Sequence, residues 1–137
     1  MNNKELVKLA FEAMQNSYSP YSECKVGAAL LARSGKVYLG CNVENSSYGP
    51  TNCAERTAFF KAVSEGERDF AAIAIVGGPK DNPPVDYCYP CGVCRQVMAE
   101  FCSDDFVVVI GKTEDDYRVH SLSDVLPFTF REPDLHK

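Results

Sequence analysis

The run Thr51-Asn52-Cys53-Ala54-Glu55-Arg56-Thr57 puts a thiol, and two residues later a carboxylate, at the first turn of a helix-forming stretch. A second start of this kind lies downstream, Pro90-Cys91-Gly92-Val93-Cys94-Arg95. Cys91 and Cys94 are three residues apart, so a helix sets them on one face across one turn. Cys53 must arrive from elsewhere in the fold. Two helix N-termini meeting at one point aim their positive dipole ends at the thiols and ease deprotonation. Zinc takes cysteine sulfur, prefers four tetrahedral ligands, and in a catalytic site leaves one of them to water. Three thiols with one carboxylate beside them therefore read as a catalytic zinc site with a proton shuttle. Cys53, Cys91 and Cys94 would hold one Zn²⁺ per chain. Glu55 would take a proton from the activated water and pass it to a substrate nitrogen.

Each assignment has a competitor. Asn52 is a credible N-cap with Glu55 three residues later, which would make Glu55 half of a capping box. Three thiolates outweigh the charge of one Zn²⁺. Arg56 is placed to donate to the sulfurs and offset the excess, with Arg95 as a second candidate. Either arginine would otherwise form a surface or inter-subunit salt bridge. Cys88 extends the second motif to C-x-x-C-x-x-C, which opens like an iron–sulfur run, but Met98 stands where that run needs its fourth cysteine. Cys88 as a fourth ligand would instead close a structural four-cysteine zinc site in a non-enzymatic binding module, leaving the C-A-E arrangement unexplained. Cys41 and Cys102 read as small buried hydrophobes.

The chain has 137 residues, enough for one domain, 1–137, with a core that needs no staples. Its formal net charge of -5 repels polynucleotides and anionic membranes, whose binding relies on Lys and Arg, and suits a small neutral or cationic substrate. Seven cysteines, an odd number with three clustered, read as metal or redox chemistry and not as a disulfide framework. The first residues carry no basic-then-apolar leader pattern, and the apolar runs near 26–32 and 70–76 are too short to span a bilayer. A soluble, cytoplasmic protein is expected.

Helical spacing predicts an amphipathic helix over 3–15 with Asn2 or Asn3 as its cap. A β-hairpin follows, 26–32 and 37–43 around Ser34-Gly35. The polar stretch 44–50 leads into the helix that begins near Asn52 and ends at Gly66. Residues 70–76 read as a strand buried on both faces. A proline-rich loop covers 77–90, a helix 91–102, and strands 106–110 and 119–121. A helical turn at 123–126 stops at Pro127, and 128–137 carry no regular signal. This order predicts a three-layer α/β/α sandwich around a mixed five-stranded sheet, with right-handed strand–helix–strand crossovers.

The pairing of C-x-E with P-C-x-x-C is a signature of zinc deaminases, in a three-cysteine form. With Tyr18-x-Pro20-Tyr21-Ser22, Val26-Gly27-Ala28-Ala29-Leu30, Gly40-Cys41-Asn42-Val43-Glu44-Asn45 and Leu126-Pro127, the sequence resembles the small, homotetrameric cytidine deaminases over nearly the whole chain. The two zinc motifs alone indicate only the wider cytidine/deoxycytidylate deaminase superfamily, whereas G-C-N-x-E-N separates the nucleoside deaminases. The resemblance implies hydrolytic deamination of cytidine and 2′-deoxycytidine to uridine and 2′-deoxyuridine plus ammonia, a pyrimidine salvage reaction. Attack at C4 would come from zinc-bound hydroxide, with Glu55 carrying protons to N3 and to the departing amine. The resemblance further implies that Asn42 and Glu44 hold the ribose 3′-hydroxyl, against a reading of Glu44 as a solvated loop carboxylate. The Ala54 backbone would contact the base. Tyr48 and Phe130 would reach a neighbouring subunit's pocket, against a reading of Phe130 as core packing, so isolated monomers should be inactive. One departure stands out: Cys24 occupies a position where the family usually has Phe packed on the pyrimidine. Weaker base binding is expected, or an aromatic supplied from elsewhere by Phe128 or Phe130. A modified cytosine nucleoside, such as a nucleoside antibiotic, becomes an alternative substrate.

Overall fold

The computed structural model describes residues 1–136. Asn2 caps the first helix, α1 (Asn3–Met14), through a complete capping box with Glu5. The hairpin strands are β1 (Cys24–Ala32) and β2 (Val37–Cys41). Then come α2 (Ala54–Ser64), β3 (Phe70–Pro79), α3 (Gly92–Phe101), β4 (Val107–Gly111), β5 (Tyr117–Ser121) and the short α4 (Leu122–Val125). Gly66, at φ +100, takes the left-handed position just past α2, where a side chain would be strained.

Five strands form one mixed sheet in the order β2-β1-β3-β4-β5. Among these described strands only β3 and β4 pair in parallel; α3 makes that crossover. The central strands are apolar on both faces, and period-two alternation divides them between two layers. Ala28, Leu30, Ile73, Ile75, Val108 and Ile110 face α2, α3 and α4. Ala29, Ala72, Ala74, Val76 and Val109 face α1, meeting Leu6, Val7, Ala10 and Met14. Phe59 is fully buried and touches three other rings, with centroid distances of 5.2 Å to Phe70, 6.2 Å to Phe101 and 6.2 Å to Phe106. Truncating such a side chain to Ala costs about 3–5 kcal/mol.

Gly40 fixes where α2 begins. A Cβ on Gly40 would lie 2.3 Å from the Ala54 carbonyl oxygen and 2.6 Å from the Ala58 nitrogen. The first turn of α2 therefore rests directly on the backbone of β2.

The three-layer architecture agrees with the sequence expectation, and several boundaries move. Strand β1 begins at Cys24 because pairing with β3 runs as far as Cys24 opposite Pro79, where local apolarity alone ends at Val26. The same ladder carries β3 through Gly77 and Gly78, which read locally as loop. Strand β5 starts at Tyr117, recruited by pairing with β4. The tail contains a 3-10 helix, Glu132–His136, where the sequence carries no regular signal. Arg131 anchors it by donating to the Ala99 and Cys102 carbonyls. No helix among the described residues is long and apolar enough to cross a membrane.

Candidate active site

The two motifs meet at the N-termini of α2 and α3. Each helix is capped by a cysteine, Cys53 for α2 and Cys91 for α3. Cys91 accepts a hydrogen bond from the Cys94 backbone N–H across the first turn of α3. The sulfurs of Cys53, Cys91 and Cys94 lie within 4.8 Å of one another. Cys53 and Cys91 are 3.8 Å apart, and Cys91 and Cys94 3.5 Å. A tetrahedron with zinc–sulfur bonds of ~2.3 Å has an edge of about 3.8 Å, so the donor set fits a zinc ion in both chemistry and size. Cys88, whose inclusion would close the site, is outside this cluster.

Glu55 is 4% exposed and stands at N2 of α2, directly after Ala54. The expected capping box is absent: Cys53 is the N-cap and makes no side-chain capping bond, while the Asn52 amide donates to Thr57. The carboxyl lines the cavity, where it accepts hydrogen bonds from its own backbone N–H and from the Cys94 thiol. Burial pushes its pKa up to about 7, and the neighbouring Cys53 adds to the rise. The Cys53 thiol is held down at about 5 by the hydrogen bonds it accepts from Cys94 and from Arg56. Cys94, as donor to Cys53 and as a buried group, is pushed up.

The two arginines divide as their surroundings dictate. Arg56 donates to the Cys53 sulfur at 3.2 Å, and its Nε is buried with no partner among the described residues. Arg95 does not reach the thiols. It donates to the Pro90 carbonyl at 2.8 Å and to the Val125 carbonyl at 2.5 Å, so it is a brace and not a counter-charge.

A cavity of about 260 Å³ opens over this corner. Glu55, Cys53, Cys91 and Ala54 line it, together with the polar side chains of Ser22, Asn42, Glu44 and Thr51. Cys24 and Val26 line it too. Asn42 is buried and heavily engaged, accepting from Val26 N–H and the Ser17 hydroxyl and donating to the Cys24 carbonyl. One amide hydrogen of Asn42 remains for the cavity. The Glu44 carboxylate accepts from the Tyr21 and Ser22 amides at 3.0 Å each and from the Ser22 hydroxyl. These bonds, the Ser22 hydroxyl first, hold it below the usual carboxylate range.

The remaining expected residues lie apart from this cavity. Tyr48 is 72% exposed and lines an adjoining hollow with Tyr21, its ring 6.4 Å from that of Tyr21. Phe130 is 55% exposed and Phe128 fully exposed, so neither packs in the core and neither lines the cavity of its own chain. Cys102 is buried as expected, but Cys41 is only half-buried, beside Lys61. Sequence reasoning missed Tyr89, which also lines the cavity, and weighed Cys88, which lines it too, only as a metal ligand. Their local signal was a proline-rich loop, and only the fold turns that loop inward.

Residues 1–110 match the model of the cytidine and deoxycytidylate deaminase zinc-binding region. A cytidine deaminase of Halalkalibacterium halodurans is 48% identical over 136 residues, covering 99% of this chain and 99% of that one. One from Sporosarcina psychrophila is 47% identical, covering 98% of this chain and 96% of its own. The crystal structure of a cytidine deaminase from Burkholderia pseudomallei superposes with a TM-score of 0.86 at 48% identity, covering 95% of this chain and 100% of that one. With that match added to a zinc-sized triad of thiols beside a buried carboxyl, the chain belongs to the cytidine and deoxycytidylate deaminase family.

Proposed function

We propose that this single domain, 1–137, hydrolyses cytidine and 2′-deoxycytidine to uridine and 2′-deoxyuridine with release of ammonia. The observation that carries the reading is that the buried Glu55 carboxyl shares one cavity with two sulfurs of the thiol triad. Cys53, Cys91 and Cys94 would hold zinc, which supplies Lewis-acid activation of a water. As the oxygen of water adds to C4, Glu55 would carry one proton to ring N3, making C4 more electrophilic. Glu55 would then take the proton of the new C4 hydroxyl and deliver it to the exocyclic amine, so that the C4–N bond breaks, ammonia departs and the C4 carbonyl forms. Water adds and ammonia departs, so no redox partner is needed. Arg56 offsets the excess negative charge of the thiolates. Glu44 and Asn42 accept and donate to ribose hydroxyls, and the Ala54 backbone faces the base.

The exposed rings of Tyr48 and Phe130 support a homotetramer in which these side chains complete a neighbour's pocket; the net charge of -5 supports a small-molecule enzyme without nucleic-acid or anionic-membrane partners, and a cytoplasmic location goes with that reading.

The test is an ultraviolet time course with cytidine, for the parent and for Glu55→Gln, with zinc measured in both. Turnover by the parent, reduced roughly 10²–10⁴-fold in Glu55→Gln at equal zinc, is expected. No turnover by zinc-loaded parent would redirect the reading to a modified cytosine nucleoside.

A further inference from the structure

We infer that Tyr89 is a substrate-binding residue whose ring forms the aromatic wall for the cytosine base, and that His120 and Arg118 of β5 hold it there. This rests on the functional reading above and extends it to a residue that neither zinc motif includes. Among the described residues lining the cavity, Tyr89 is the single aromatic side chain. A flat heteroaromatic base gains contact and π interaction from a ring, and the rest of the apolar lining offers only small side chains such as Cys24, Val26 and Ala54.

The segment 87–91 is fastened at each residue. The Tyr87 hydroxyl donates to Asp116 at 2.6 Å, and the Arg118 guanidinium lies 4.0 Å from the Tyr87 ring centroid. Cys88 rests on the sheet at Gly77, where a Cβ would come within 2.8 Å of its sulfur. The Tyr89 hydroxyl is 3.1 Å from His120 Nε2 and accepts from Arg118 at 3.4 Å. The two rings are 5.6 Å apart. Arg95 holds the Pro90 carbonyl, and Cys91 caps α3. The hydroxyl is thus tied at the β5 edge, which leaves the body of the ring for the cavity. A side chain ordered before binding loses little entropy when the base arrives.

Zinc-loaded Glu55→Gln protein binds cytidine without consuming it, so calorimetry reads Kd directly. In that background Tyr89→Ala is expected to weaken cytidine about tenfold, while Tyr89→Phe stays within about twofold because the ring is kept. In the active enzyme Tyr89→Ala raises KM by a similar factor and changes kcat by less than about threefold. His120→Ala falls between parent and Tyr89→Ala. The chain has no tryptophan, so Tyr89→Trp adds a single indole whose emission should shift on cytidine binding. That readout decides the matter even if the alanine variant fails to fold. An unchanged Kd in Tyr89→Ala, or a silent indole at saturating cytidine, overturns the inference alone. No cytidine binding by Glu55→Gln itself overturns the functional reading and this inference with it.

Discussion

The N-termini of α2 and α3 use one device for two purposes. Both helices are capped by a cysteine, and both carry an arginine in the first turn. At α2 the arginine turns to the sulfur and the adjacent glutamate is buried in the cavity. At α3 the arginine turns away to two backbone carbonyls, and the first turn contributes a second sulfur instead. The difference lies in what each helix start rests on. α2 sits backbone-to-backbone on Gly40, and Arg56 is pressed against Cys53. α3 follows a proline-containing strap whose free carbonyl captures Arg95. Charge at a metal corner is thus assigned by neighbouring backbone, not by the motif.

The largest effects are expected at the sulfurs. Cys53→Ser and Cys91→Ser should each lose bound zinc and all measurable turnover, while Cys88→Ser keeps zinc at parent stoichiometry; zinc release from Cys88→Ser would mean a closed four-cysteine site. The arginines come next. Arg56→Gln should lower zinc affinity or activity 10–100-fold, as loss of a partner behind metal ligands does. Arg95→Gln should leave turnover per bound zinc unchanged and instead lower stability by about 1–3 kcal/mol, since two carbonyls lose their donor. A matching loss of activity per zinc in both variants would erase the distinction. Gly40→Ala then tests the support beneath α2: overpacking at a backbone contact costs about 1–3 kcal/mol, read as a lower melting temperature. A part of that cost should appear as weaker zinc binding, because Cys53 moves with the helix start.

Among these features, the chemistry was the most legible in the sequence. Ligand spacing across one helical turn is a local property, and a thiol–carboxylate pair at a helix start has few other uses. The boundaries that moved were set by partners. Cys24 and Gly77 become strand because β1 and β3 pair through them, and Tyr117 because β4 is beside it. The ends of β1 and β3, at Cys24 and at Gly77-Gly78, carry no apolar alternation of their own.

The three sulfurs, the carboxyl beside them and the layered α/β/α order follow from residue type and short-range period alone. That Glu55 lies at N2 and not at N3, that Arg56 and Arg95 part company, and that Cys88 and Tyr89 line the cavity emerges only in the assembled fold. Those outcomes depend on Gly40, Gly77, His120 and Val125, residues far away along the chain that meet the site only once the sheet is assembled.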